Sequence, residues 1–454
     1  MSEHGGPEGL ASATIYAEAT AFGTAGIAVV RVSGPCARMV MDRLTGQTKI
    51  KARHATRVNI YRSHDGELLD SALALWFPKP YSFTGEDIAE FHLHGGRAVV
   101  AAVLAELEAI SGLRTAEPGE FSRRAFMNEK MDLTEAEGLA DLIAAETEMQ
   151  RKQALRQLNG GLGDRYEDWR HRLLRDLAHT EAVLDFADEE LPVGLLDHLN
   201  QDVKLLVQEI TAHLDDDRRG QRLREGVRVA IVGPPNVGKS SLFNHLAKRD
   251  VVIVHDRAGT TRDVVEIQLD LGGFPVFVSD TAGIRESSDE VESEGIRRAK
   301  AVAEESDLVV GVCDASVVPA LDPETLSLLG ESGLLVMNKI DLLGDQLPEM
   351  IGGYRLQHVS CRTGAGLDGL TETLTTKVHR MMSSVVSGSL ISRQRHRESL
   401  IECRNALVRF GGAQAVELSA EELRHAVHSL GRITGRVDVE DILGLIFREF
   451  CIGK

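Results

Sequence analysis

The sequence has few of the features that would indicate a disulfide-bonded, secreted or membrane-bound protein. Its 454 residues include five cysteines, which are scattered without a CxxC pair. A disulfide framework or a structural zinc site is therefore not expected, and a reducing, cytoplasmic setting is the default. No run approaches the roughly 20 apolar residues of a membrane span, so we expect no membrane association. The first residues also lack the basic-then-apolar order of a signal peptide.

The sequence also has fewer positively than negatively charged residues. The chain carries 51 Lys and Arg against 69 Asp and Glu, which gives a formal net charge of −18. This charge balance argues against electrostatic binding of nucleic acid over a broad surface. It does not exclude a local basic patch, or RNA binding shared with a partner. The 43% hydrophobic and 26% charged content is that of an ordinary folded chain. At roughly 100–200 residues per domain, the length indicates two to four domains.

Four stretches differ in pattern. Residues 1–125 mix short strand-like runs, as at 26–33 and 69–77, with one clear helical pattern at 98–110. Residues 126–223 are almost wholly helical, with breaks expected at 159–161 and around Pro192. Residues 224–381 alternate strands and helices, which is typical of a doubly wound α/β domain. Residues 382–454 are helical again. We predict one helical domain interrupted by an α/β insertion, although two separate helical domains would produce the same pattern.

The strongest motif is a phosphate-binding loop. Residues 233–240 read GPPNVGKS, directly after the strand-like run RVAIV and before a helical pattern. In this setting, backbone amides and a helix N-terminus face the phosphates of a nucleotide. Lys239 would reach the outer phosphates, and the Ser240 hydroxyl would ligate Mg²⁺.

A second motif indicates the base. Residues 338–341 read NKID and follow the apolar run GLLVM. The carboxylate of Asp341 can accept both N–H groups of guanine, and adenine offers no such pair of donors. We therefore predict GTP rather than ATP. Residues 360–362, which follow the strand-like run RLQHV, are expected to contact the same base through the backbone.

Two further loops have the pattern of nucleotide-sensing switches. Thr261 could contact Mg²⁺ and the γ-phosphate, and Asp280 ends the strand-like run FPVFVS at a place suited to a water-mediated Mg²⁺ contact. The N–H of Gly283 would lie near the γ-phosphate. The next residue is Ile284, where Ras-like enzymes carry the glutamine that orients the attacking water. An aliphatic side chain cannot orient water, so another residue must.

No arginine finger is evident in the sequence either. Glu292, in an acidic run, is a candidate for orienting water, although such runs are more often solvated surface. Asn236, within the phosphate-binding loop, could help to bind a monovalent cation that takes the place of the arginine.

These motifs together resemble those of the MnmE (TrmE) family, the tRNA-modifying members of the TrmE-Era-EngA-like P-loop GTPases. The resemblance covers essentially the whole chain, and the terminal FCIGK is its most specific part. The other matching segments are GTTRD (259–263), DTAGIRESSDEVE (280–292), SFTGEDIAEFHLHGG (82–96), PGEFSRRAFMNEKMDL (118–133), DFADEELP (185–192) and LGRITGRV (430–437).

The resemblance implies a fold and an activity. The family has an N-terminal α/β domain like tetrahydrofolate-binding domains, a discontinuous helical domain, and an inserted Ras-like doubly wound α/β G domain. It implies a potassium-dependent GTP hydrolase that forms a homodimer through its N-terminal domains and a heterotetramer with the FAD-containing protein MnmG. That complex uses 5,10-methylenetetrahydrofolate to form 5-carboxymethylaminomethyl (or aminomethyl) uridine at the wobble position of tRNA.

The resemblance also assigns residues of the G domain. Glu292 aligns with the carboxylate that orients water. The implied potassium ligands are Asn236, His255, Arg257 and Thr260, and the implied magnesium ligands are Ser240 and Thr261. The full predicted GTP-binding set is Asn236, Val237, Gly238, Lys239, Ser240, Ser241, His255, Asp256, Arg257, Ala258, Gly259, Thr260, Thr261, Asp280, Thr281, Ala282, Gly283, Asn338, Lys339, Ile340, Asp341, Ser360, Cys361 and Arg362.

A second site follows from the same resemblance. The implied folate-binding residues are Arg31, Glu90, Lys130 and Lys454. This set suits folate, because a pterin pairs with a carboxylate and the glutamate tail of folate attracts cations. Cys451 is a candidate for direct chemistry, with a small residue packed near the folate site as the alternative. The HxH formed by residues 92 and 94 lacks a partner cluster, so we interpret both histidines as structural.

The implied mechanism couples hydrolysis to movement. GTP with Mg²⁺ and K⁺ would bring the two G domains of a dimer together, and hydrolysis would let them part. The competing hypothesis is an Era-like ribosome-assembly or RNA-binding regulatory GTPase. Such factors usually carry a basic RNA-binding module, whereas the densest basic stretch here is the short RQRHR at 393–397. Folate binding discriminates between the two.

Overall fold

The computed structural model describes most of the chain. The described residues are 13–185, 195–216, 218–249, 251–253, 265–280, 297, 300–317, 322–330, 332–343, 347–382, 391–412, 415–437, 440–448 and 450–453. The chain divides into two compact units. The first comprises residues 1–140, 163–170 and 430–454, and the second comprises residues 141–162 and 171–429. Within the described ranges, no helix has both the length and the apolar character needed to cross a membrane.

The first unit contains a six-stranded sheet with strand order β3-β4-β5-β2-β1-β6. All neighbouring strands are antiparallel except β1 and β6. Apolar and polar residues alternate along β5, which places Phe91 and Leu93 in the core and leaves Glu90 and His92 on the opposite face. The strands are β1 (Thr14–Glu18), β2 (Ile27–Ser33), β3 (Thr56–Tyr61), β4 (Leu68–Phe77), β5 (Ile88–His94) and β6 (Leu113–Thr115).

The second unit contains an eight-stranded sheet with strand order β13-β14-β12-β11-β7-β10-β9-β8. The central strands β14, β12, β11, β7 and β10 are parallel, and β9 and β8 continue one side in antiparallel order. These strands are β7 (Val227–Val232), β8 (Val251–Ile253), β9 (Val265–Leu271), β10 (Phe274–Asp280), β11 (Leu308–Asp314), β12 (Leu334–Asn338), β13 (Met350–Ile351) and β14 (Tyr354–His358).

The strands β7, β11 and β12 of this second sheet are largely apolar because both of their faces are covered. Ile231 of β7 packs in a cluster on one face, and its neighbours Ala230 and Val232 pack in a cluster on the other. The carboxyl ends of parallel strands meet at one edge, which is where an open α/β sheet binds ligands. The order of the strands therefore places the loops after β7, β10, β11 and β12 at a common edge.

Helices account for most of the remaining described residues. The helix Glu148–Leu158 begins with a capping box, in which the side chains of Thr147 and Gln150 accept hydrogen bonds from each other's backbone N–H groups. The helices are α1 (Ala37–Thr45), α2 (Arg97–Glu108), α3 (Glu120–Met127), α4 (Leu133–Ala144), α5 (Glu148–Leu158), α6 (Gly163–Asp185), α7 (Leu195–Leu214), α8 (Arg219–Glu225), α9 (Lys239–Arg249), α10 (Pro323–Leu329), α11 (Leu367–Met381), α12 (Gln394–Phe410), α13 (Val416–Thr434) and α14 (Glu440–Arg448).

The coarse prediction from sequence is confirmed: the chain combines mixed α/β regions with helical ones. The runs expected to be strands at 26–33 and 69–77 are β2 and β4, and the helical run at 98–110 is α2. The expected helix break at 159–161 separates α5 from α6. The expected break around Pro192 lies outside the described residues.

Candidate functional site

The phosphate-binding loop connects the end of β7 to the start of α9. Two of its glycines are required by their surroundings. Gly233 and Gly238 have φ angles of 148° and 102°. A Cβ at Gly233 would lie 2.4 Å from the carbonyl oxygen of Val312, and one at Gly238 would lie 2.2 Å from Nδ2 of Asn338. No larger residue fits either position without moving the backbone or the side chain beside it.

Lys239 and Asp280 are two buried groups of opposite charge at this edge. Lys239 is 7% exposed and donates hydrogen bonds to the carbonyl oxygens of Gly233 and Pro234, at 2.7 and 2.8 Å. Burial lowers the pKa of Lys239, and the charge of Asp280 opposes that shift. Asp280 is 3% exposed and ends β10, in register with Ile231 of the neighbouring strand. A cation and an anion so placed suit a phosphate group and its counter-ion.

The hydroxyl residues that follow Lys239 are exposed. Ser240 and Ser241 lie in the first turn of α9, at the helix end where anions are stabilised. The exposed Ser240 hydroxyl and the Asp280 carboxylate are oxygen groups of the kind that Mg²⁺ prefers. The residues present therefore fit the predicted magnesium site.

Asn338, at the end of β12, joins the phosphate-binding loop to the base loop, which we define as residues 338–341 and 360–362. It is 2% exposed, and its Nδ2 donates to the carbonyl oxygen of Val237 at 2.8 Å. Its Oδ1 accepts from the backbone N–H of Cys361 at 3.1 Å. The amide group is thus used on both sides, so Asn338 sets the spacing of the two loops.

Asp341 presents its carboxylate in the base loop, one residue beyond Ile340. Its Oδ1 accepts from the Ser360 hydroxyl at 2.5 Å, and its Oδ2 lies 2.6 Å from Nη2 of Arg362. The Ser360 hydrogen bond and the charge of Arg362 hold the pKa of Asp341 below its ordinary value. The group is therefore an anion at neutral pH and can accept two N–H donors of a base.

A second cluster of functional side chains lies on the sheet of the first unit. Arg31 of β2 and Glu90 of β5 are directly opposite in register, and their Nε and Oε1 atoms are 2.8 Å apart. The guanidinium of Arg31 lies over the rings of Phe83 and Phe121, 5.5 and 5.6 Å from their centroids. His92 Nε2 is 3.6 Å from the other carboxylate oxygen of Glu90. The result is an ion pair bordered by two aromatic rings.

The end of the chain reaches this cluster. The carbonyl oxygen of Gly453 is 3.5 Å from Nη1 of Arg31. Gly453 has a φ of 99°, and a Cβ there would lie 2.2 Å from the carbonyl oxygen of Glu18. The carbonyl oxygen of Cys451 accepts from the backbone N–H of Gly119 at 3.4 Å, and Cys451 is exposed. The last described residues therefore contact two elements of the first unit, the start of α3 through Gly119 and β2 through Arg31.

Lys130, which follows the end of α3, lies near the loop that contains Phe83. A Cβ at Gly85 would lie 3.0 Å from Lys130 Cε. The carbonyl oxygen of Thr84, in the same loop as Phe83, accepts from Asn128 Nδ2 at 2.6 Å. The structure therefore brings Arg31, Glu90 and Gly453 together, and Lys130 lies near the neighbouring loop that contains Phe83.

Comparisons with known proteins agree on one family. A protein-family model described as "GTP-binding protein TrmE N-terminus" matches residues 14–130, and one described as "MnmE helical domain" matches residues 133–451. A "tRNA modification GTPase MnmE" from Paramagnetospirillum magneticum is 52% identical over 443 residues, covering 98% of this chain and all of that protein. The chain belongs to the MnmE family.

A eukaryotic protein of similar sequence spans the same length. A human mitochondrial protein named "5-taurinomethyluridine-[tRNA] synthase subunit GTPB3" is 46% identical over 468 residues, covering 99% of this chain and 95% of the human protein. Membership in the MnmE family confirms the prediction that the chain is a GTP hydrolase. Because MnmE relatives match along the whole chain, the Era-like alternative loses its support.

Some predicted residues lie outside the described part of the chain, and their roles stay predictions. They are His255, Asp256, Arg257, Ala258, Gly259, Thr260, Thr261, Thr281, Ala282, Gly283, Glu292 and Lys454. They include both predicted switch loops and the residue expected to orient water.

Sequence reasoning did not identify several side chains that lie beside Arg31 and Glu90. Phe83 and Phe121 lie in two segments, 82–96 and 118–133, that were noted only because they resemble the family. Nothing in the sequence of either segment indicates that both rings contact Arg31. The interpretation of His92 as structural stays a prediction, and the structure adds that its ring lies beside Glu90. Alternation along β5 was an available signal, because it predicts that residues 90 and 92 share one face.

Proposed function

We propose that this chain is the GTPase of a tRNA-modifying complex. With an FAD-containing MnmG partner, it would use 5,10-methylenetetrahydrofolate to form 5-carboxymethylaminomethyl or aminomethyl uridine at the wobble position. The observation that carries this proposal is the Arg31–Glu90 pair with the chain end beside it, because a plain nucleotide switch has no need of such a site. The names of the relatives, which refer to tRNA modification, support it.

The chemistry of this second cluster fits a reduced folate. Glu90 offers a carboxylate that can accept the N–H groups of a pterin ring, and Arg31 offers a guanidinium for a carboxylate of the glutamate tail. Phe83 and Phe121 supply flat apolar surfaces next to the charges. We propose that Lys130 and Lys454 add positive charge, and that the folate supplies the one-carbon unit when bound. Cys451 stays a candidate for direct chemistry.

Folate binding provides the direct test of this site. Titration of the purified chain with tetrahydrofolate should give saturable binding that Arg31→Ala weakens more than tenfold, because one charge-assisted contact is lost. Arg57→Ala is the matched control, since this exposed arginine lies on β3 of the same sheet. Equal affinities for the wild type and Arg31→Ala would contradict the assignment. Absence of binding by the wild type would contradict the folate proposal altogether.

In the GTP site, we propose that the Lys239 ammonium leaves the loop carbonyls and binds the outer phosphate oxygens. Ser240 and Thr261 would hold Mg²⁺, with Asp280 contacting it through water, and the metal charge would offset that of the phosphates. Glu292 would orient the attacking water, since Ile284 cannot. The support from described residues is the burial of Lys239 and Asp280 at the end of the sheet, where the charge of Asp280 acts on Lys239.

Asn236 is proposed to hold K⁺ in place of an arginine finger, together with His255, Arg257 and Thr260. Asn236 is exposed in the loop, and its side-chain oxygen is of a type that binds alkali ions. GTP hydrolysis should therefore be faster in potassium than in sodium buffers of equal ionic strength. Equal rates would remove K⁺ from the mechanism.

The proposed domain organisation has one helical domain interrupted by a Ras-like insertion. Ser392, after the insertion, donates to Gln157 Oε1, before it, at 2.9 Å. Asp141 Oδ1 accepts from Arg224 at 3.0 Å and from Arg393 at 2.9 Å, which lie where the chain enters and leaves the α/β part. These contacts support a single helical domain. The proposed boundaries are 1–125, 126–223, 224–381 and 382–454.

The complex is proposed to be a homodimer of this chain that binds MnmG and tRNA. Analysis of modified nucleosides in tRNA from cells that lack this protein tests the whole proposal. Wobble uridines should lose their aminomethyl-type groups. Full modification in those cells would refute it.

A further inference from the structure

Asp314 lies at the edge of the second sheet where the nucleotide loops meet. It ends β11, directly beside Asn338 in the parallel register of β11 and β12. Its Oδ2 is 2.6 Å from Nζ of Lys339, and its side chain is 15% exposed. Burial opposes ionisation, but hydrogen bonds from Lys339 and Ser316 prevail and hold the pKa of Asp314 below its ordinary value. The carboxylate is an anion that binds a lysine of the base motif.

Lys339 in turn binds the phosphate-binding loop. The same Nζ donates to the carbonyl oxygen of Asn236 at 2.7 Å. Asn236 and Lys339 have φ angles of 63° and 66°, so both are non-glycine residues in the left-handed region. Such backbone persists only where surrounding contacts hold it. Lys339 supplies such a contact to Asn236, and Asp314 orients the ammonium group that makes it.

The next loop residue is held from the same edge. The carbonyl oxygen of Val237 accepts from Asn338 Nδ2 at 2.8 Å. Two successive loop carbonyls, those of Asn236 and Val237, therefore point towards the end of β12. This direction leaves the amide side of the loop free to turn towards a phosphate.

We propose that Asp314 is a positioning residue for the nucleotide phosphates: through Lys339, it keeps the phosphate-binding loop in the shape that receives the β-phosphate. The proposal rests on the GTP site proposed above. Asp314 belongs to none of the nucleotide-binding segments identified in the sequence, and it acts without touching the nucleotide itself.

Charge and position predict opposite results for Asp314→Asn. A carboxylate near the phosphates repels them, so neutralising it would strengthen nucleotide binding if charge alone mattered. If Asp314 positions Lys339, the substitution releases the ammonium group and weakens binding of nucleotides that carry a β-phosphate. The sign of the change in affinity therefore decides between the two.

The experiment measures GDP and GMP affinity of the purified full-length chain by competition against a fluorescent GDP. We expect Asp314→Asn to raise the Kd for GDP about tenfold, as for the loss of one charge-assisted contact, and to change the Kd for GMP by less. Asp314→Glu, which keeps the charge, should lose less affinity than Asp314→Asn. Glu324→Gln is the matched control, because this exposed carboxylate lies in α10 of the same unit.

Unchanged or tighter GDP binding by Asp314→Asn would overturn the proposal, as would equal losses for GDP and GMP. Lys239→Ala separates this failure from a failure of the GTP site. If Lys239→Ala weakens GDP binding and Asp314→Asn does not, only the role of Asp314 is wrong. If neither variant weakens GDP binding, the proposed site itself is wrong.

Discussion

Asp341→Asn tests whether the base loop recognises guanine. The carboxylate of Asp341 is held by the Ser360 hydroxyl at 2.5 Å on one oxygen and by Arg362 at 2.6 Å on the other. Arg362 is 72% exposed, so a bound base can displace it at little cost. Ser360 is buried and stays in place to orient the carboxylate. The substitution therefore changes the acceptor that faces the base and leaves its supports intact.

The expected loss follows from the number of donors. Guanine presents two N–H groups to this carboxylate, and an asparagine can accept only one of them, without charge. Loss of a charge-assisted hydrogen bond corresponds to about a ten- to hundredfold weaker affinity. The asparagine N–H₂ can instead donate to the additional oxygen of xanthine. Preference should therefore shift from guanine towards xanthine nucleotides.

Competition binding with GDP and XDP measures both effects in one assay. Asp368→Asn is the control, because this exposed residue lies in the first turn of α11, close to the base loop in sequence. The control should bind GDP like the wild type. An Asp341→Asn variant with unchanged preference for GDP over XDP would refute the placement of the base.

Three other predictions concern catalysis, the chain end and pH. Glu292→Ala should slow GTP hydrolysis more than tenfold with nearly unchanged GTP affinity. A wild-type rate of hydrolysis in a single-turnover assay would show that Glu292 does not orient the attacking water. Gly453→Ala should weaken tetrahydrofolate binding without lowering the melting temperature, because the added Cβ would meet the Glu18 carbonyl oxygen and displace the tail; intact binding would place folate elsewhere. Burial and the nearby charge of Asp202 raise the pKa of Asp176 to about 7, from 3.8. The folded chain then holds this proton more tightly than the unfolded chain, so this contribution to stability is present at low pH and is lost as pH rises from 3.8 to about 7. In urea unfolding, Asp176→Asn should therefore gain stability over the wild type at pH 8 and gain less at pH 5; an equal gain at both would show that Asp176 does not titrate in this range.

The nucleotide site could be predicted from sequence because its parts are local. GPPNVGKS is contiguous, and the positive φ angles of Gly233 and Gly238 are properties of this one loop. NKID follows a buried apolar strand, and parallel strands place their carboxyl ends at one edge, so Asp341 and the phosphate-binding loop had to meet there. The binding chemistry follows from residue types at fixed spacing. The strands β7 and β12 were equally predictable, since central parallel strands are continuously apolar.

By itself, the sequence determined the family, the nucleotide motifs, and the alternation of helical and α/β stretches. Only the tertiary structure decided that Phe83 and Phe121 border Arg31, that Gly453 reaches it from the other end of the chain, and that Asp314 binds Lys339. The physical reason is distance along the chain. Local backbone preferences and spacing act over a few residues, whereas these contacts depend on how distant segments pack, which no local pattern specifies.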